Sequence, residues 1–301
     1  MVPPPAAWVR SVGERADVHG LALVARGDDD YPPLLAAIPD APIALFVSGR
    51  RETLRVESIA VVGARRCSAA ALTAAYAFGR DLSLAGLCIV SGLARGVDAA
   101  AHRGALESGR PTVAVLGAGH DHVYPAQHRG LAAEIAACGA VVSEYPPGTR
   151  PRKQNFPERN RIVSGLARAV VLIEAGERSG SLITARLALE QGRDVLAVPG
   201  SPETGRSRGC HRLIQSGAAL VEDARDALDW LGIPIPMPIE QAQDASTPDL
   251  VRWLSGDVVT AIDALVERSG WPVERVLETL VELELAGFVM PLDGGYIRVR
   301  H

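Results

Sequence analysis

Six short apolar runs follow one another through the middle of the chain: SIAVVG, LCIVSG, TVAVLGAG, AVVSE, AVVLIEA and DVLAVPG. They are rich in valine, and none alternates apolar with polar residues. Strands covered on both faces have this character, and the helix-like stretches between the runs supply the crossovers that a parallel sheet needs. Residues 57–231 are therefore expected to form an α/β domain, a doubly wound, mostly parallel, Rossmann-like sheet. Each run ends in Gly, Ser or an acid: Gly63, Ser91, Gly117, Glu144, Glu174 and Gly200. In such sheets ligands sit beyond the carboxyl ends of the strands, so these turns define one candidate rim.

The charge on this chain is local. Its net charge is −4 over 301 residues, yet PPGTRPRKQNFPERNRIVSGLAR, residues 146–168, sets Arg150, Arg152, Lys153, Arg159, Arg161 and Arg168 against Glu158 alone. Lys153 is the only lysine among 31 basic residues, and Phe156 stands beside it in a chain with 4% aromatics. An aromatic platform with cations around it is the usual equipment for a single-stranded nucleic acid, the base stacking while the cations hold phosphate. The plainer alternative for Phe156 is an anchor for a polar basic loop, with Asn160 and Arg161 opening the next helix and bracing it.

Three strand-to-helix turns add to the rim. VVGARRCS places Arg65 and Arg66 in a glycine turn ahead of a helix starting at Ser68, where free N–H groups suit phosphate. SGLARGVDAAAH and ERSGSLITARLALE are turns of Ser and Gly that permit close backbone approach. No Gly-Lys-Ser/Thr follows either one, and GAGHD lacks the spacing of a dinucleotide fingerprint, so triphosphate hydrolysis is unsupported. Asp98 and His102, one helical turn apart, read as structural hydrogen-bonding groups rather than half of a metal site, since no third ligand is visible. Glu144 and Glu174 read as caps. The four cysteines, Cys67, Cys88, Cys138 and Cys210, lack a Cys-x-x-Cys pair and suggest neither zinc nor a disulfide framework. No metal or cofactor is expected.

Residues 1–56 read as a short N-terminal extension packing on the sheet domain. IPIPMPIEQAQDASTP marks a Pro-rich linker over 232–247. Residues 248–301 give three helix-like stretches and a hairpin with DGG at its turn, the pattern of a small winged helix. Its recognition-like helix, 272–286, carries Glu274, Glu278, Glu282 and Glu284 against Arg275 alone. No stretch reaches 18 uncharged apolar residues, and the N-terminus lacks the pattern of a signal peptide. The expected location is the cytoplasm, with no membrane partner.

YPPLL…DAPIALFVSG, VVGARR, IVSGLARGVDAAAH, AVLGAGHDHVYP, VVSEYPPG, FPERNRIVSGL, VVLIEAGERSGSLITARLALEQGRDVLAVPG and GCHRLIQSGA, in this order over about residues 28–231, resemble the DNA-processing protein A family, also called Smf. The resemblance implies a non-catalytic single-stranded DNA-binding protein that loads the RecA recombinase in natural transformation, usually as a homodimer. By motif it implies that Arg65, Lys153 and Phe156 are the principal DNA contacts. With the turns that share the rim, the expected interface is Gly63, Arg65, Arg66, Gly92, Lys153, Phe156, Arg161, Ser179, Gly180 and Ser181. The competing reading is a nucleotide-cleaving enzyme of the phosphoribohydrolase type. Such enzymes carry an acid three residues after the threonine of a glycine turn, whereas Glu190 here follows Thr184 by six. Two copies of a short binding loop would hold a strand better than one. The stretch HRLIQSGAALVEDARDALDWL is the expected dimer interface, with a RecA surface overlapping it.

Overall fold

The computed structural model describes residues 16–234, 250, 253–254, 259–285, 289–292 and 294–298. The chain divides into two compact units, Met1–Ile235 and Pro236–His301. From residue 235 onward the linker stretch lies outside the described residues.

All six apolar runs are strands: β3 (Ser58–Gly63), β4 (Cys88–Ser91), β5 (Thr112–Leu116), β6 (Ala140–Ser143), β7 (Ala169–Ile173) and β8 (Asp194–Ala197). They pair in parallel. Alternate residues feed two cores on opposite faces. Ile59 and Val61 enter one with Val171 and Ile173, while Ala60 and Val62 enter the other with Val170 and Leu172. That double burial is why the runs show no polar alternation.

Within residues 1–56, expected to pack on the sheet, the described part from residue 16 contributes two strands that extend it. β1 (Ala22–Ala25) and β2 (Ala44–Gly49) join as antiparallel strands, and a two-residue β9 (Ala219–Leu220) closes the far edge. The sheet order is β1-β2-β6-β5-β4-β3-β7-β8-β9. A strand run hidden by YPPLL and its prolines joined the sheet because β6 offered an unpaired edge. From β3 the chain winds outward through β4, β5 and β6, then returns to β7 on the other side of β3. The topological switch point therefore lies between β3 and β7, at their carboxyl ends.

The second unit has its own small core of Leu250, Leu254, Leu265, Val276, Leu280, Leu283 and Val289. Helices Ile262–Ser269 and Val273–Leu285 precede an antiparallel hairpin, β10 (Val289–Leu292) with β11 (Gly295–Arg298). Gly270, at φ +68°, ends the first of these helices in the left-handed conformation.

Candidate functional site

A groove of about 850 Å3 opens at the switch point. Its walls are the turn after β3, the turn after β4, the turn after β7 and the start of helix Asn155–Leu166. Nine of the ten expected interface residues line it: Gly63, Arg65, Arg66, Gly92, Lys153, Phe156, Ser179, Gly180 and Ser181. Residues distant in sequence thus converge because parallel strands deliver every turn to one end of the sheet.

Arg161 is the exception. It lies inside helix Asn155–Leu166, not at its start, and its Nη2 donates to Glu144 at 2.6 Å while Nε pairs with Asp40 at 3.0 Å. It faces a separate hollow shared with Tyr145 and Glu158. Two residues beyond the groove-lining Arg159, about 200° round the helix axis, its side chain is carried to the other side. Asn160 lines the groove but also sits within the helix, which begins earlier than expected.

The helix start at Ser68 was expected to offer free N–H groups to phosphate, but the protein fills that place itself. The Ser68 N–H donates to both carboxylate oxygens of Glu174, at 3.0 and 3.1 Å, and its hydroxyl forms a short hydrogen bond to the same carboxylate. Glu174 is buried and holds a left-handed φ of +48° to reach this position. The exposed Arg65 and Arg66 add positive charge on this side of the groove. Helix Ser181–Glu190 has Gly180 as its N-cap, with open space where a Cβ would stand, while the Ser181 and Leu182 N–H groups donate to the Ser179 hydroxyl and carbonyl at 3.4 and 3.2 Å. The bare glycine leaves the backbone of this turn open to close approach by an anion. Ser179 and Ser181 hold the turn through their hydroxyls, 2.7 Å apart.

Glycine is needed at two groove positions by close approach. A Cβ on Gly63 would come within 1.9 Å of the Ile173 carbonyl oxygen, so this residue lets β3 and β7 meet at the switch point. A Cβ on Gly92 would stand 2.5–2.7 Å from the guanidinium of Arg159. Arg159 is 3% exposed, donates through Nη1 to the Val115 carbonyl, and lies under the groove. Burial draws its pKa down to about 10, so it stays charged near neutral pH. Asp98 is the one carboxylate among the groove-lining residues described. It accepts from the Gly92 and Ala94 N–H groups at 3.1 and 3.3 Å, and burial raises its pKa. His102 Nδ1 lies 2.8 Å from Thr112 Oγ1. Both are structural groups beneath the site.

Phe156 is half-buried. Tyr124 packs against it with ring centroids 5.3 Å apart at 52°, and the Arg65 guanidinium lies 5.5 Å over the ring. The result is a cluster of two aromatic rings and a cation at the lip of the groove. Sequence reasoning missed Tyr124, Arg159 and Arg178, all of which line the groove. Tyr124 and Arg178 lie in loops following β5 and β7, so the strand-end rule that identified the other turns would have reached them. Arg159 gave no such signal, because a buried arginine looks like its solvated neighbours in a basic stretch. Glu190 is absent from the groove lining and pairs at 3.5 Å with Arg186 on its own helix.

Comparison with known proteins identifies the family. Residues 22–232 match the family DNA recombination-mediator protein A, and residues 234–295 match the DprA winged helix domain. The chain belongs to the DNA recombination-mediator protein A family. It is similar to Protein Smf of Escherichia coli, with 42% identity over 290 residues, covering 92% of this chain and 77% of that one. Among solved structures it resembles DNA processing protein A of Streptococcus pneumoniae, at 45% identity with a TM-score of 0.67 over 71% of this chain and 77% of that one. It also resembles DNA processing protein A of Helicobacter pylori, at 28% identity and a TM-score of 0.64 over 70% of this chain and 95% of that one. That structure was described for its single-stranded DNA-binding mode.

Proposed function

We propose that the groove binds single-stranded DNA, with phosphates held by Lys153, Arg65 and Arg66 and at the Gly180 helix end, and with a base stacked on the Phe156–Tyr124 cluster. The observation that carries this reading is the convergence of unpaired cations and half-exposed aromatic rings in one groove at the switch point. Arg65, Arg66 and Lys153 form no ion pair within the described residues. A duplex keeps its bases stacked inside and cannot present one to Phe156, so the groove selects single strands. The Helicobacter pylori relative, described for its single-stranded DNA-binding mode, supports the same assignment.

The wider role is DNA processing in transformation and recombination, in the cytoplasm, with the bound strand passed to the RecA recombinase and no catalytic step required. A homodimer is part of this proposal. Its support is the stretch of residues 211–231, which leaves Leu220 on edge strand β9 and Trp230 more than half exposed. A RecA surface overlapping that edge completes the reading.

The test is affinity for an oligonucleotide and for its duplex, measured by fluorescence anisotropy over a salt series, with sedimentation at micromolar concentration and RecA-dependent strand exchange alongside. Tight single-strand binding, weak duplex binding and a dimer are expected. Equal affinity for both forms would remove the stacking site, and a monomer that binds undiminished would remove the dimer.

A further inference from the structure

A smaller, more enclosed pocket of about 150 Å3 opens beside the groove. The two share Arg65, Arg66, Phe156 and Arg159, but Arg95 and Pro125 line the small pocket only. Four guanidiniums, Arg65, Arg66, Arg95 and Arg159, thus surround a space large enough for a few water molecules. None of them forms an ion pair within 4.0 Å among the described residues.

Arg159 decides what this space is suited to hold. Its side chain is almost fully buried, yet its Nε has no hydrogen-bond partner. The carboxylate of Asp98, which accepts from two backbone N–H groups through Oδ2, attracts this guanidinium but forms no ion pair with it within 4.0 Å. Leaving that buried donor unpaired is costly, and an anion in the pocket that Arg159 lines would offset part of the charge buried there. An internal phosphodiester carries a single charge and must continue in both directions, which fits an open groove better than a side pocket. A phosphate monoester carries a charge of about −1.5 to −2 and three free acceptor oxygens, and arginine forks match those oxygens two at a time. The Phe156 and Tyr124 rings form the apolar wall against which the end base would lie.

We propose that this pocket binds the terminal phosphate of a DNA strand, so that the protein recognises phosphorylated ends as well as strand interiors. The proposal rests on the single-strand reading of the groove. Neither end of the strand is distinguished by the pocket's chemistry, so the test must include both.

The experiment compares four oligothymidylates of one length bound by the full chain: 5′-phosphorylated, 3′-phosphorylated, hydroxyl-ended and circular. One phosphorylated form should bind about tenfold or more tighter than the hydroxyl-ended form, since at least one charge-assisted contact is gained. Arg95→Ala should abolish that difference while leaving circular DNA bound as before, because Arg95 is outside the groove. Equal affinity for all four would overturn the end pocket and leave the groove reading intact. An end preference that survives Arg95→Ala, or one that follows the terminal base instead of the phosphate, would also overturn it. No binding to any of the four would remove both readings at once.

Discussion

Two helices of this chain carry dense charge, and they present it in opposite ways. Helix Asn155–Leu166 starts at the groove and directs Phe156 and Arg159 towards it, while its acid Glu158 turns aside to accept a hydrogen bond from the Tyr145 hydroxyl at 2.9 Å. Helix Val273–Leu285, in the winged unit, exposes Glu274, Glu278, Glu282 and Glu284. Between them runs an exposed apolar stripe of Val273, Leu277 and Val281, and its one arginine, Arg275, lies 4.1 Å over the ring of Trp271. A helix entering a DNA groove must approach two phosphate strands, and four glutamates would be repelled throughout that approach. The fold often associated with DNA thus has surface chemistry suited to protein, whereas an enzyme-like sheet has surface chemistry suited to DNA. Architecture alone assigns neither function.

The largest effect expected on the groove side comes from its aromatic lip. Phe156→Ala should weaken single-strand binding by ~1–3 kcal/mol, the usual value of one stacked base, with the fold retained because the ring is only half-buried. Anisotropy titration beside a circular dichroism melt checks this. Unchanged affinity in a folded variant would make Phe156 an anchor for the helix start and weaken the contrast between the two helices.

Next in size is the acid response of His102, buried in the sheet unit, which the winged helix has no counterpart for among its described residues. Thr112 Oγ1 donates to the Ile89 carbonyl at 2.6 Å, so it accepts from His102 Nδ1–H, leaving His102 Nε2 bare, buried and unpartnered. Burial, with Arg159 and His128 adding repulsion, lowers the His102 pKa from 6.5 to about 3. The folded value lies below the unfolded one, so the unfolded chain takes up the proton first as pH falls. The His102 contribution is complete above pH 6.5 and is lost towards pH 3, by at most ~1.4 kcal/mol per pH unit. Asp98 is shifted upward, which offsets part of this at the acid end. Urea unfolding at pH 7 and pH 5 should show a smaller acid loss for His102→Asn than for the unaltered chain. Equal losses would assign the acid sensitivity to another group.

Smaller again is the contribution of one exposed cation. Lys153→Ala should reduce affinity for all sequences alike and lower the salt slope by ~0.7, the amount expected per phosphate on a single strand. A log–log plot of affinity against salt measures it. An unaltered slope would move the phosphate path away from this side of the groove.

The double winding of the sheet was legible because strands buried on both faces cannot hide their valine-rich pattern, and the rim followed from strand direction alone. What stayed hidden depended on side-chain direction or on partners distant in sequence. Arg161 looked like one more cation of a basic stretch, but helical rotation turns it to Asp40 and Glu144. Glu174 lies 106 residues from Ser68, so nothing local showed that the first helix end would be filled by a carboxylate. β1 and β2 were obscured because the turns and prolines between them break up the pattern that the parallel strands show. They become evident only when β6 is seen to need a neighbour.

The smallest effect expected is also the one that most directly tests the contrast between the two helices. If the winged unit served DNA, removing residues 236–301 would cost affinity and flatten the salt dependence, since any phosphate contacts it made would be lost. Its composition argues against this: Arg252, Arg268, Arg275, Arg298 and Arg300 are outnumbered by Asp249, Asp257, Asp263, Glu267, Glu274, Glu278, Glu282, Glu284 and Asp293. The sheet unit keeps its own cores and its groove without that segment. Deletion should therefore leave single-strand affinity equal or slightly higher, because a net negative segment no longer repels the incoming strand. Side-by-side titrations of the full chain and the truncated chain at low and moderate salt measure this. A marked loss of affinity on truncation would return the winged helix to DNA and erase the distinction drawn from its glutamates.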